Sequence, residues 1–328
     1  MSEFATSPED EPAATTELPG NPWWDAEPPS PSPSPWWEVP DAAPPTPQLQ
    51  DDPAAAADRA AAAAQLRGQF DVVPDGYDGA RDPNTLTESE YAQMVATYSD
   101  IRRGTSDIVL NTQAFHGSLG DQPEAEQAAL DATMADFASM MQTEEGRAVV
   151  SRLANNTAGD EVDADGNPVH HKTTLQIAND KFATAAVAVP DSREGDRDPR
   201  ATDGTGVDAR IDNYHPGQTL APPPGADDGW ATQERSDVAL FHELVHAVHQ
   251  TEGSFLNQGV GADRLLNEGH GPPLALDEYT TVGLGGYATG VDGVAVSENL
   301  YRQARNQIRT GQREGDGEFE DRWRYYPS

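Results

Sequence analysis

His242, Glu243 and His246 form the pattern His-Glu-x-x-His inside the stretch Ser236–His249. If that stretch is a helix, the two histidines lie four positions apart on one face. Both imidazoles then reach a single metal ion, with zinc–nitrogen distances of about 2.0–2.1 Å. Glu243 falls one position further round, where its carboxylate reaches a metal-held water without being a ligand. Two nitrogen donors and a nearby general base are the parts of metal-assisted hydrolysis. The pattern arises by chance roughly once in a hundred chains of this composition. The competing reading is a pair of core histidines on an ordinary helix. Against it stand the apolar setting of the helix in a polar chain and the acidic segments downstream.

The positioning element is read from the same stretch. Phe241, Leu244, Val245 and Val248 recur at helical spacing and predict a buried helix. Ser236 or Asp237 is expected to cap its start, and Gly253 to end it. Upstream, an alanine-rich helix is expected over Asp51–Arg67 with Gly68 as its cap. A helix over Thr87–Arg103 opens with the capping box Thr87-x-x-Glu90, and two more are expected over Pro123–Met141 and Glu144–Ala154. The period then changes, and Thr173–Ala178, Thr184–Val189 and Val207–Tyr214 read as strands. Asp163–Asn167 resembles the start of a calcium loop. Lys172 occupies the place of the bidentate glutamate, so a turn is the better reading. His170 and His171 are neighbours, poor co-ligands on a strand, and are expected at the surface.

Downstream come Asp277-Glu278-Tyr279-Thr280-Thr281-Val282-Gly283, then Ser297-Glu298-Asn299, and finally Arg322-Trp323-Arg324-Tyr325. Together with His-Glu-Leu-Val-His-Ala-Val-His at 242–249, these segments resemble the motifs of two groups. They are the NleD-like bacterial effector metallopeptidases and the clostridial neurotoxin light chains. The resemblance spans about residues 69–328. It implies an α+β zincin-like fold with a small twisted sheet, the active-site helix and a mostly helical C-terminal part. It makes Glu278 the third zinc ligand beside His242 and His246, and Asp277 a supporting carboxylate. Glu298 matches the glutamate that braces an active-site arginine. Arg322 and Tyr325 match the pair that flanks the zinc and stabilises the oxyanion. The chain is longer than the family pattern around Gly311–Asp321, which leaves Arg302 and Arg305 as rival cations. His249 recurs in the neurotoxin motif and is read as supporting the site, against a plain helix-face residue. Three protein ligands leave one zinc position open for water, from which Glu243 takes a proton. The strand Val207–Tyr214 is expected to pair with extended substrate.

Composition narrows the classes. The 328-residue chain has no cysteine and a formal net charge of -35, which excludes thiolate chemistry and disfavours nucleic acid and anionic membranes as partners. No apolar run is long enough to span a bilayer, and the N-terminus has neither the basic nor the apolar region of a signal peptide. Residues 1–50 contain no Lys or Arg, alternate Pro and Ser over Pro29–Pro35, and repeat Pro22-Trp23-Trp24-Asp25 as Pro35-Trp36-Trp37-Glu38. They read as a disordered tail carrying a docking or export motif. Residues 51–68 read as a helix or linker, and 69–328 as the zinc metallopeptidase domain. The leading expectation is a Zn2+-dependent endopeptidase that acts on a target-cell protein after delivery by an injection apparatus. The alternatives are a housekeeping zinc peptidase and a non-catalytic interaction protein with a residual zinc site.

Overall fold

The computed structural model describes residues 53–69, 86–116, 122–156, 169–179, 187–190, 206–217, 219–220, 234–254, 265–266, 274–284 and 287–311. All fall within Asp51–Ser328. The tail 1–50 with its Trp-Trp segments, the Asp163–Asn167 loop, Arg322 and Tyr325 lie outside them.

The first half of the described chain holds four helices: α1 (Pro53–Gln69), α2 (Glu88–Arg103), α3 (Pro123–Met141) and α4 (Glu144–Ala154). Their starts follow local chemistry. Thr87 and Glu90 exchange side chain-to-backbone hydrogen bonds at α2, Pro123 opens α3, and Thr143 accepts from the Gly146 amide at α4. The α1 boundary differs from the sequence reading, because the helix continues through Gly68 to Gln69. Its Ala62 and Leu66 are buried in the main core beside Tyr98 and Ile101 of α2.

The strand β1 (Ile108–Asn111) precedes α3, and its parallel neighbour β2 (Thr173–Ile177) follows α4. Then come β3 (Val187–Pro190) and β4 (Ala209–Tyr214). The sheet order is β1-β2-β4-β3, with β3 antiparallel at one edge. Side chains alternate, so Leu175, Ile177, Ala209 and Ile211 enter the core while Gln176 and Arg210 face outward. The sequence reading offers Val207–Tyr214 as the strand that receives substrate. The topology overturns this, because β4 is paired on both sides and has no free backbone edge.

Short ribbons β5 (Thr219–Leu220) with β6 (Glu234–Arg235), and β7 (Leu265–Leu266) with β8 (Leu274–Ala275), frame helix α5 (Ser236–Thr251). Helix α6 (Leu276–Val282), the hairpin β9 (Thr289–Val291) and β10 (Val294–Val296), and α7 (Glu298–Thr310) complete the described chain. Helices and a small mixed sheet make an α+β fold of the zincin kind. Helix α5 lies in the middle of it, with Val238, Leu240, Phe241, Leu244, Val245 and Val248 fully buried.

Candidate metal centre

Helix α5 carries the first donors. Its apolar stripe fixes the rotation of the helix against the core. That rotation places His242 Nε2 3.1 Å from His246 Nε2. Helix α5 ends as expected: Gly253 takes φ +59°, and the amides of Gly253 and Ser254 return to the carbonyls of Gln250 and His249. Its start departs from expectation. Neither Ser236 nor Asp237 caps it, since the capping position is Arg235 and makes no side-chain cap bond. Ser236 Oγ instead accepts from the Gly217 amide, and Asp237 is drawn into a buried ion network.

The third donor comes from the first turn of α6. Glu278 Oε2 lies 3.4 Å from His242 Nε2 and 3.3 Å from His246 Nε2. A tetrahedral zinc with bonds of about 2.0–2.1 Å has ligand–ligand edges of about 3.3–3.4 Å, so this triangle has the size the ion requires. The donor set of two imidazoles and one carboxylate also suits zinc. Glu243 neighbours His242 closely enough that its charge helps to raise the basicity of that ring.

Each imidazole is held from behind. Glu298, the first residue of α7, places Oε2 2.9 Å from His242 Nδ1, and its Oε1 accepts from Arg302 Nε at 2.8 Å. Asp277 Oδ2 lies 2.6 Å from His246 Nδ1, and Asp277 Oδ1 lies 2.6 Å from His249 Nδ1. With their Nδ1 atoms engaged, both rings present Nε2 to the triangle. Burial lowers the proton affinity of His242, but hydrogen bonds to Glu278 and Glu298 outweigh it and push its pKa up to about 9. Burial opposes the charge of His246 too, and the Glu278 charge and the Asp277 bond raise its pKa well above the ordinary value. For Asp277 and Glu278, burial works upward and the histidines win, holding both carboxyls well below the usual range. A divalent cation would take the place of the Nε2 protons, so its binding would release protons.

One face of α7 clamps α5. Glu298, Tyr301, Arg302 and Arg305 recur at helical spacing. Tyr301 stacks on Phe241 with ring centroids 4.4 Å apart, and its hydroxyl donates to Asp237 at 2.8 Å. Arg305 lies 3.5 Å from the same carboxylate and donates to Gln142 Oε1 at 2.5 Å. Arg302 and Arg305, rivals for the substrate-facing cation, are both committed to buried structural pairs. The sequence reading missed this clamp, although Glu298 and Arg302 at i,i+4 were a signal for the pair behind His242.

The family is now decided by a direct comparison. A model of peptidase family M91, described as effector protein, matches residues 122–319. The chain belongs to this family. It is therefore a peptidase effector, in a metallopeptidase group, as the resemblance to NleD-like effectors implied. No curated protein matches the chain.

The remaining sequence candidates divide. His242, Glu243, His246, His249, Asp277, Glu278 and Glu298 are brought together around α5, while Arg322 and Tyr325 lie outside the described residues. His170 is exposed and lies 3.0 Å from Asp107. His171 corrects the surface reading, because it is 1% exposed. It shares its parity with Thr173 and Leu175, both buried on the inner face of the sheet, so the alternation turns it inward.

Proposed function

We propose that this protein is a zinc-dependent endopeptidase that cleaves a protein of a target cell. The observation carrying this reading is the approach of His242 Nε2, His246 Nε2 and Glu278 Oε2 to within 3.1–3.4 Å of one another. Zinc, when bound there, supplies the Lewis acidity that makes water nucleophilic near neutral pH. Glu243 takes the proton of the attacking water and returns it to the leaving amine. Asp277, Glu298 and His249 keep the two rings aimed. Arg322 and Tyr325 are assigned to the developing oxyanion, a role that the burial of Arg302 and Arg305 supports by removing the rival cations. The extended substrate pairs with the antiparallel edge strand β3, whose outer side meets no strand among the described residues.

The domain that does this comprises residues 69–328 together with α1, whose Ala62 and Leu66 belong to its core. The acidic tail 1–50 serves export or docking through its Trp-Trp segments, and the protein reaches its target by a specialised secretion or injection apparatus. Membrane insertion and nucleic-acid binding have no part in this reading. No helix among the described residues is long and apolar enough to cross a bilayer.

Metal analysis and cleavage together test the proposal. The parent protein should hold one zinc per chain, and Glu278→Ala should lose most of it. Glu243→Gln should keep the zinc and lower turnover by roughly 10²–10⁴-fold. Mapping new protein N-termini in a target-cell lysate, parent against Glu243→Gln, reads the substrate. A parent protein without zinc, or a Glu243→Gln variant that cleaves normally, would overturn the assignment.

A further inference from the structure

The outer face of the four-stranded sheet carries a polar cleft, none of whose described lining residues belongs to the metal centre. Its volume is about 600 Å³, and it is lined by Gln176 and Asn179 from the end of β2, by Arg210, Asp212 and Asn213 of β4, and by Ala114 just beyond β1. Strands β1, β2 and β4 are parallel, so the cleft sits at their carboxyl ends. That is where sheets with parallel strands leave a crevice for ligands. The pairing of β2 with β4 is irregular there. Leu175 pairs with Ile211, but Ile177 pairs with Tyr214, so β4 carries one residue more than its partner. This is a bulge, and Asn213 within it has φ +58°. Strict alternation would turn Asn213 inward and Tyr214 outward. With the extra residue, Tyr214 is 1% exposed while Asn213 is exposed beside Asp212. The bulge puts two consecutive side chains on the outer face.

We propose that this cleft is a second peptide site, which holds a neutral polar segment of the substrate protein beside the stretch that is cleaved. The proposal rests on the peptidase reading above for the identity of its ligand. Three of the lining side chains, Gln176, Asn179 and Asn213, are carboxamides. Each offers N–H donors and a carbonyl acceptor, the two halves of a peptide group. Asn179 also donates to the Ala114 carbonyl at 3.2 Å, which fastens the β1 side of the cleft to β2. The one charge pair is closed on itself, because Arg210 donates from Nε and Nη2 to the two oxygens of Asp212 at 2.8 and 2.9 Å. The described lining is thus neutral overall and rich in hydrogen-bonding groups. It suits an uncharged polar peptide over an acidic or a basic one.

The cleft adjoins the edge assigned to the substrate. Val187, the first residue of β3, pairs with Asp212. Neighbouring strands lie about 4.8 Å apart, so a substrate strand added to β3 runs about 10 Å from β4. About three extended residues cover that distance. A segment flanking the cleaved stretch reaches the cleft by crossing the start of β3. Asn213 has a competing role, because asparagine adopts a left-handed φ more readily than most residues with a side chain. That role accounts for the residue type at 213, but not for Gln176, which lies on the partner strand β2 at the bulge.

Asn213→Gly separates the two roles, since glycine keeps the φ and loses the carboxamide. Gln176→Met removes a second carboxamide at similar shape. A full-length substrate is found by mapping new N-termini in a target-cell lysate, and a short peptide is made that spans only its cleaved stretch. On the full-length protein each variant should raise KM about tenfold at unchanged kcat, the scale of one or two lost hydrogen bonds. Both variants should cleave the short peptide as the parent does. An equal loss on protein and peptide, or no loss on either, overturns the proposal. If Gln176→Met melts early, Asn213→Gly decides alone, because glycine suits the backbone there. Binding is read separately in the full-length Glu243→Gln chain, from the side-chain amide NMR signals of Gln176 and Asn213. They should move on addition of an acetylated Ser-Gln-Ser-Asn peptide and stay in place with an acidic peptide of the same length. Movement with the acidic peptide alone, or with neither, overturns the proposal. If the parent cleaves nothing, the peptidase reading fails on its own, and these signals still decide the cleft.

Discussion

Two buried aspartates next to α5 show how one environment drives neighbouring acids apart. Asp237, in the first turn of α5, is fully buried, which favours its neutral form. The charges of Arg305 and Arg235 outweigh that cost and hold its pKa below the ordinary value. Asp136 of α3 accepts from the Tyr214 hydroxyl. Burial and the charge of Asp237 push its pKa up to about 6. A raised carboxyl contributes stability that is complete below its unfolded value, near 4, and is lost as pH rises through about 6. Asp136→Asn cannot ionise, so its stability relative to the parent should climb between those two pH values, by roughly 2–3 kcal/mol. Thermal melts at acid and neutral pH check this, and a constant difference would remove ionisation of Asp136 as the cause.

At the scale of elements, the donors depend on how three helices meet. Helix α5 supplies His242 and His246, the start of α6 supplies Asp277 and Glu278, and the start of α7 supplies Glu298. Carboxylates in the first turns of α6 and α7 also have favourable positions in the helix field. Gly283 sets the junction between these two helices. Its φ is +88°, and a β-carbon there would lie 2.4 Å from Ser297 Oγ, the cap of α7. Gly283→Ala is therefore expected to cost more than about 1 kcal/mol through backbone strain and overpacking. Because Glu278 and Glu298 stand on either side of the junction, the same variant should also bind zinc more weakly. Calorimetry of the metal-free form and chelator competition measure the two effects. Normal zinc affinity at lowered stability would show that the junction tolerates adjustment without moving the donors.

At the scale of the whole molecule, we propose a division of function between the tail and the folded domain. Residues 1–50 hold no positive charge and are rich in proline, a composition that cannot bury enough apolar surface to fold alone. The described core and every donor of the metal centre come from residues after Gln50. Deletion of 1–50 should leave zinc content, melting temperature and peptide cleavage as in the full chain, while delivery to a target cell is lost. A truncated protein that no longer cleaves peptides in a purified assay would contradict that division.

What the sequence determined by itself was local. The cap of α2, the spans of α3 and α4, the C-terminal stop of α5 and the spacing of His242 and His246 all follow from short-range rules of period, capping and turn. The α+β class followed from the family motifs. Only tertiary structure decided which side chains meet. Ser236 and Asp237 were plausible caps by type, but Asp237 is more strongly engaged by Arg235, Arg305 and Tyr301 than by its own helix end. Val207–Tyr214 read as a receiving strand until pairing of Ala209–Tyr214 on both sides consumed its edges. Glu298 behind His242, and Thr289 behind His249, join segments whose separation in the chain carries no periodic signal. Such contacts are set when packed helices and the hairpin bring buried polar groups together, and burial then requires each of those groups to find a partner.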